Sequence, residues 1–186
     1  SGGNSMLAAG GYNAVGTKQQ KAKGITDTVE AYVEDTLKGG RGKNDRALVE
    51  ILAKESATGV EWLEGMGADL SEVKRSGGAR VDRTHRPTGG ETVGPHIVKT
   101  LRAQAEKDGV PARLNSRAVR LIVDENHTVR GVVVEGKHSG LYRVNAKAVV
   151  LAAGGYGQNK EMVAFYRPTF KGMTSSNNVT STGDGV

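Results

Sequence analysis

The residues best suited to holding a ligand lie at the start of the chain, in the stretch SGGNSMLAAGG. Gly3 lets the backbone come close to a flat or charged ligand, and backbone amides at a helix start bind phosphate. Asn4 and Ser5 add side chains that form hydrogen bonds, and residues 8–11 expose almost bare backbone on which a planar ring can lie. The stretch predicts a cofactor loop, with an ordinary glycine-rich turn as the alternative.

Two further glycine motifs point to the same kind of chemistry. The run AVVLAAGG, residues 148–155, ends in small residues, as a strand does where a cofactor meets the carboxyl edge of a doubly wound sheet. In TGDG, residues 182–185, the carboxylate of Asp184 can accept hydrogen bonds from a ribose or a ring. Each motif also fits a plain tight turn.

The stretch RTHRPTGG, residues 83–90, places His85 and Arg86 just before a predicted helix. It favours an anion site or a positioning loop at that helix start, and solvent-exposed charges are the alternative. Neither residue is assigned a catalytic role. The four histidines lack the spacing of metal ligands, so no metal site is predicted. The sequence also shows no Ser-His-Asp arrangement, Walker loop, glycosidase-type carboxylate pair or G-x-G-x-x-G fingerprint.

Helices are expected to position these motifs in the first part of the chain. Asp27, with Glu30 three residues on, predicts a capping box for a helix that stops at Gly39-Gly40. A longer helix is expected from Asn44 or Asp45 to about Gly65, and another from about Thr92 to Lys107. The apolar face predicted for the longer helix comprises Leu48, Leu52, Val60 and Leu63. Short helices are expected over residues 5–9 and 158–165, and residues 65–90 are expected to be irregular.

Strands are expected after Gly109, where β-branched runs flank the turn at residues 124–127. The continuous apolar run at 147–152 is typical of a buried central strand. The predicted class is therefore α/β, with helices and a β-hairpin or small sheet inserted before the central strand 147–152.

Composition narrows the function classes. The chain has 186 residues, a net charge of +6 and no cysteine, which excludes disulfides and cysteine-ligated metals in this stretch. Aromatic residues make up only 4%, and no basic stripe is interleaved with them, so no nucleic-acid partner is predicted. No apolar run approaches the roughly 20 residues that a membrane span needs. A basic cleft for an anionic small molecule remains open.

Taken in order, GGNS-x-x-A-A-GG-x-N-A, HRPTGG, the strand ending A-A-GG, and GDG resemble the flavoprotein part of soluble fumarate reductases. This family comprises the flavocytochrome c relatives of succinate dehydrogenase flavoprotein, with urocanate reductase and other reductases of unsaturated carboxylates. The resemblance covers essentially the whole chain and implies a Rossmann-like FAD-binding domain. It also implies that residues 1–186 are the middle portion of that domain, without the N-terminal G-x-G-x-x-G unit and the C-terminal capping and substrate segments.

The resemblance implies a role for ten residues toward FAD. Gly3, Asn4 and Ser5 would follow the diphosphate and ribityl chain; Ala9, Gly10 and Gly11 would approach the isoalloxazine ring; Ala118 would bind the adenine through its backbone; Ala153 and Gly154 would lie near the adenosine; and Asp184 would contact the flavin side. Gly10 would also lie close to the substrate. The family often has Thr where Ala153 stands, which removes a hydroxyl from that contact.

The reaction that the resemblance implies is reduction of the C=C bond of an unsaturated carboxylate such as fumarate by hydride from reduced flavin. Its catalytic residues lie in segments beyond residue 186, and none is identified here. The isolated chain is expected to be inactive and to retain FAD weakly or not at all. Haem c or FMN on other domains, or an electron-donor protein, would supply electrons. A periplasmic location is favoured, with the cytoplasm as the alternative.

Three other functions fit the same residues. Urocanate or another enoate is an alternative substrate within the family. A related flavin oxidase or ketosteroid dehydrogenase would use the same FAD loops. A non-catalytic module that binds a nucleotide or an anion is the alternative from a different class.

Overall fold

The computed structural model describes residues 2–186, which divide into two compact units. The first unit ends at Asp108 and the second runs from Gly109 to Val186. Among the described residues, no helix is both long and apolar enough to cross a membrane.

The first unit combines four helices with a small antiparallel sheet. Its elements are a 3-10 turn at Gly3–Leu7, β1 (Tyr12–Asn13), α1 (Lys18–Ala22), α2 (Val29–Gly39), α3 (Arg46–Gly65), β2 (Glu72–Lys74), β3 (Thr84–Arg86), a 3-10 turn at Thr88–Gly90, and α4 (Val93–Lys107). The strands lie in the order β1-β3-β2, so the stretch 65–90, which was predicted to be irregular, supplies two of the three strands.

The three longer helices begin and end close to the predicted positions. Asp45 caps α3 by accepting hydrogen bonds from the backbone N–H groups of Ala47 and Leu48. The predicted capping box at Asp27 is wrong: the Thr28 hydroxyl caps α2 by accepting the N–H of Ala31. Asp27 instead forms an ion pair with buried Arg83 at 2.9 Å. The capping box of this unit lies at Thr17 and Gln20, at the start of α1.

The buried face of α3 is displaced from the predicted one at its N-terminal half. Val60 and Leu63 are buried as expected, but Leu48 and Leu52 are exposed. The face that packs inward consists of Val49, Ala53, Ser56, Val60 and Leu63. These residues recur at intervals of four and three, which keeps them on one side of a helix. Because α3 carries apolar residues on more than one side, periodicity alone predicted that Leu48 and Leu52 are buried, whereas the adjacent Val49 and Ala53 are.

The second unit is built around an antiparallel sheet in the order β4-β5-β6. Its elements are β4 (Ser116–Val123), β5 (Val129–Gly136), β6 (Gly140–Asn145), α5 (Lys160–Tyr166) and a 3-10 turn at Pro168–Phe170. The predicted hairpin and its turn at 124–127 are confirmed. In that turn, Asp124 accepts hydrogen bonds from the backbone N–H groups of Asn126 and Thr128.

The predicted central strand at 147–152 is not formed in this structure. Residues 148–153 have no strand assignment, and Val150 and Leu151 are 87% and 60% exposed. An apolar run becomes a buried central strand only when neighbouring strands satisfy its backbone groups on both sides. No strand among residues 2–186 pairs with this run.

Candidate functional site

The first candidate site is the loop from Gly3 to Gly11. Gly3 has a φ of +51°, a left-handed conformation that favours glycine, and it begins a 3-10 turn that ends at Leu7. Residues 4–10 are exposed. Asn4 and Ser5 within the turn and Gly10 after it therefore lie on the surface of the first unit.

The loop is seated on the first turn of α4. The Gly94 N–H donates a hydrogen bond of 2.9 Å to the Ala8 carbonyl oxygen. A Cβ atom built on Gly94 would overlap the Ser5 carbonyl oxygen and would lie 2.7 Å from that of Ala8. Gly94 is thus required for close approach of helix and loop, and the sequence-based search missed it because its contacts are distant in sequence.

Gly10 and Gly11 have different surroundings. A Cβ on Gly11 would collide with the Thr84 side chain and would lie 2.9 Å from the His85 carbonyl oxygen. A Cβ on Gly10 would meet no atom within 4 Å. Packing against β3 explains why position 11 is glycine. The space beside Gly10 is open, which suits the predicted approach of a ring and a substrate.

His85 is a structural residue in this arrangement. Its ring is fully buried, with Nδ1 3.0 Å from the Arg83 carbonyl oxygen and Nε2 2.8 Å from the Thr17 hydroxyl. The carbonyl requires a proton on Nδ1, so the Thr17 hydroxyl donates to Nε2. Burial lowers the pKa of His85 below its ordinary value. The ring is therefore neutral at pH 7 and holds β3 against the segment that leads into α1.

Both ring nitrogens of His85 have hydrogen-bond partners, whereas one nitrogen of the adjacent Arg86 has none among residues 2–186. Its Nε atom is shielded from solvent and forms no hydrogen bond within the described residues. Its Cγ atom would lie 3.1 Å from a Cβ on Gly11, so the side chain starts beside the candidate loop. A buried donor without an acceptor is uncommon in proteins and is a feature that a bound ligand can satisfy. The anion site suggested by the sequence stays a prediction for Arg86.

The second candidate site lies wholly in the second unit. The Gly183 N–H donates to the Gly155 carbonyl oxygen at 3.2 Å, which joins the GDG turn to the AAGG segment. A Cβ on Gly185 would lie 3.2 Å from the Cβ of Ala153. Gly154 has a φ of +76° and a Cβ there would meet no atom within 4 Å. The GDG turn that contains Asp184 therefore lies close to Ala153 and Gly154, although the two segments are distant in sequence.

Ala118 is linked to this cluster through its neighbour. The Arg117 Nε atom lies 3.8 Å from an Asp184 carboxylate oxygen. Ala118 is opposite Val134 on β5, and a register shift follows it before Arg120. Because β4 is an edge strand, backbone groups on its outer side have no partner in the sheet. This edge fits the predicted backbone contact of Ala118 with an adenine.

The family model described as "FAD binding domain" matches residues 1–186. The chain belongs to this FAD-binding family. It is 64% identical over 186 residues to the "Probable fumarate reductase Ifc3" of Shewanella frigidimarina, covering 100% of this chain and 32% of that protein. It is 34% identical over 187 residues to the urocanate reductase of Eggerthella lenta, covering 98% of this chain and 31% of that protein.

A solved structure supports the same assignment. The open conformation of a flavocytochrome c3 fumarate reductase matches 100% of this chain and 33% of its own length, with 64% identity and a TM-score of 0.94. The predicted α/β FAD-binding class is confirmed as helices with small antiparallel sheets in the fold of that flavoprotein. The chain spans about a third of the length of these relatives.

The two candidate sites fit FAD. The first offers exposed backbone at residues 4–10 with open space at Gly10 and an unsatisfied guanidinium nitrogen nearby. The second offers the outer edge of β4, open space beside Gly154 and the carboxylate of Asp184. These are groups that bind a dinucleotide through its phosphates, its ring face and its hydroxyls. The individual roles assigned to the ten residues stay predictions.

Proposed function

We propose that this chain supplies part of the FAD site of an enzyme that reduces the C=C bond of an unsaturated dicarboxylate such as fumarate. The main support is the exposed glycine loop, which α4 and β3 hold in place while the space beside Gly10 stays open. The identity to a fumarate reductase over the whole chain supports the same reaction. When bound, FAD supplies the hydride that reduces the double bond.

The residues of this chain would bind the FAD and orient its ring and the substrate. Gly3, Asn4 and Ser5 line the path proposed for the diphosphate and ribityl chain, within the 3-10 turn at Gly3–Leu7. Ala9 and Gly10 present a surface without large side chains, against which a ring and a flat substrate can lie. A rigid seat for this surface matters because rate depends on holding the reacting atoms in alignment.

The second unit would hold the adenosine end through Ala118, Ala153 and Gly154, and its Asp184 would contact the flavin side. The outer edge of β4 offers backbone groups at Ala118, and the Ala153–Gly154 segment offers close approach. Asp184 accepts a hydrogen bond from the Thr182 hydroxyl at 2.8 Å, which orients its carboxylate. Haem c or FMN on other parts of the protein, or a separate donor, is proposed to deliver electrons. A periplasmic location stays a prediction.

The test uses the full-length protein, purified with its flavin. Reduced methyl viologen is oxidised anaerobically with fumarate, urocanate or acrylate as the acceptor, and FAD content is measured from absorbance. We expect turnover with fumarate and one FAD per protein. Turnover with urocanate alone would assign the alternative substrate, and flavin without turnover on any acid would contradict the proposed reaction.

A pair of asparagine variants tests the loop itself. Asn4→Ala removes a side chain that we propose contacts the cofactor, whereas Asn126→Ala removes one from the β4–β5 turn. Loss of a hydrogen bond to a charged group weakens binding by about tenfold or more. We expect the dissociation constant for FAD to rise by that factor in Asn4→Ala only. Equal affinities in the two variants would remove Asn4 from the proposed site.

A further inference from the structure

The carboxylate of Asp69 joins two segments of the first unit. Its Oδ1 accepts hydrogen bonds from the Ser71 N–H at 3.0 Å and the Ser71 hydroxyl at 2.5 Å. Its Oδ2 accepts hydrogen bonds from the Thr88 N–H at 2.9 Å and the Thr88 hydroxyl at 2.6 Å. The hydroxyls of Ser71 and Thr88, followed by the two N–H groups, hold the pKa of Asp69 well below its usual range. At neutral pH the carboxylate is ionised and fully engaged.

The backbone of the same residue is bonded to α4. The Asp69 N–H donates to Nε2 of His96 at 2.8 Å, and Nδ1 of His96 lies 3.3 Å from a Glu91 carboxylate oxygen. Since Nε2 accepts, the proton of the neutral ring is on Nδ1 and is donated to Glu91. Asp69 therefore contacts the chain on both sides of the start of α4, at Thr88 before it and at His96 within its first turns.

The connection into α4, which these two contacts flank, contains consecutive glycines. Gly89 and Gly90 follow Thr88 with φ values of +78° and +84°. Two consecutive glycines in this conformation give a segment with unusually high conformational freedom when it is not held. The first turn of α4 is the seat of the candidate FAD loop, through the bond from Gly94 to Ala8. The position of that loop thus depends on how firmly the helix start is held.

We propose that Asp69 and His96 are positioning residues, which fix the start of α4 and, through Ala8, the adjoining Ala9 and Gly10 that the proposed function places against the flavin ring. Neither residue has to touch the cofactor for this role. The inference rests on the proposed function for the identity of the ring, and on observed contacts for the chain that links Asp69 to Ala8. His96 and Asp69 were not candidates from the sequence, because no motif relates them.

The experiment compares matched variants of the FAD-loaded, full-length protein. Asp69→Ala removes the carboxylate that holds the helix start, and Asp45→Ala removes one that also accepts two backbone N–H groups, at the start of α3. Thr88→Val removes one hydroxyl from the contact, and Thr88→Ser keeps it. The readouts are visible circular dichroism of the flavin, the dissociation constant for FAD, and kcat and KM for fumarate.

We expect Asp69→Ala and Thr88→Val to change the visible circular dichroism of the flavin and to weaken FAD binding, about tenfold for Asp69→Ala. We expect kcat/KM to fall by about ten- to a hundredfold in Asp69→Ala, because small displacements of positioned groups cost this much. Asp45→Ala and Thr88→Ser should resemble the wild type in all three readouts. If Asp69→Ala fails to fold, Thr88→Val still tests the positioning role.

The two proposals fail in different ways. A wild-type protein that holds FAD but reduces no unsaturated acid contradicts the proposed function, while the flavin spectrum still tests the positioning role. If Asp69→Ala and Thr88→Val match Asp45→Ala in flavin spectrum and FAD affinity, the positioning role is overturned, whatever the activity.

Discussion

Replacement of Gly94 by alanine tests whether α4 and the glycine loop must touch. The new methyl group would overlap the Ser5 carbonyl oxygen and would lie 2.7 and 3.0 Å from the Ala8 carbonyl oxygen and Cβ. Two of these three atoms are backbone, so they cannot rotate away as the end of a side chain can. Helix and loop must therefore separate, and the bond from the Gly94 N–H to Ala8 must lengthen or break.

Gly94→Ala has favourable and unfavourable effects on the free energy of unfolding, and these effects are of similar size. Alanine in place of glycine favours a helix by up to about 1 kcal/mol. Overpacking costs about 1–3 kcal/mol, and loss of one backbone hydrogen bond costs about 1 kcal/mol. We therefore expect Gly94→Ala to lower the free energy of unfolding by about 1–3 kcal/mol. FAD should also dissociate faster, because the displaced loop is part of its proposed site.

The control is Gly39→Ala, at the end of α2. A Cβ on Gly39 would meet no atom within 4 Å, and the backbone of Gly39 is not left-handed. This variant gains the helix preference without a clash, so its stability should equal or slightly exceed that of the wild type. Urea denaturation of the full-length protein, followed by far-UV circular dichroism, measures the stability. Release of flavin is followed by fluorescence. If Gly94→Ala is as stable as Gly39→Ala and retains FAD equally well, the seating of the loop on α4 is refuted.

Two further predictions concern the buried polar groups of the first unit. Arg83→Met should lower the free energy of unfolding by about 3–5 kcal/mol, because it leaves the buried Asp27 carboxylate without its cation. Urea denaturation checks this, with exposed Arg80→Ala as a control that should change stability little; a similarly small loss in Arg83→Met would contradict the reasoning. His85 has a pKa that burial lowers, so the unfolded state binds its proton more tightly and stability should fall as the pH drops below about 6.5. Between pH 7.5 and 5.5, His85→Asn should lose less stability than the wild type, because it lacks the group whose pKa burial lowers. Equal slopes in the wild type and His85→Asn would contradict the assignment.

Several helices and the hairpin could be predicted because their signals are local. Gly39-Gly40, Asp45 and Thr92 mark helix ends within one residue of those observed. A terminal residue either supplies a cap or does not, and this depends on a few neighbours in sequence. The turn at 124–127 is likewise settled by residues that bond to one another across four positions.

The predictions for the Asp27 capping box and for the buried face of α3 were wrong because local sequence allows more than one set of partners there. Asp27 has the residue type and spacing of a helix cap, yet it pairs with Arg83, which lies 56 residues away. Leu48 is as apolar as Val49, and only packing of α3 against α2 decides that Val49 is buried. An ion pair with a buried guanidinium outweighs a cap that threonine can supply instead.

The sequence by itself determined the glycine motifs, their order and the family to which they belong, because these depend on residue types and short spacings. Tertiary structure alone decided that Gly94 seats the loop, that Asp69 holds the start of α4, and that His85 is a buried neutral residue. Each of these depends on contacts between residues that are distant in sequence, and such contacts exist only after the chain has packed. The physical reason is that burial and close approach are properties of pairs of surfaces, which no single segment contains.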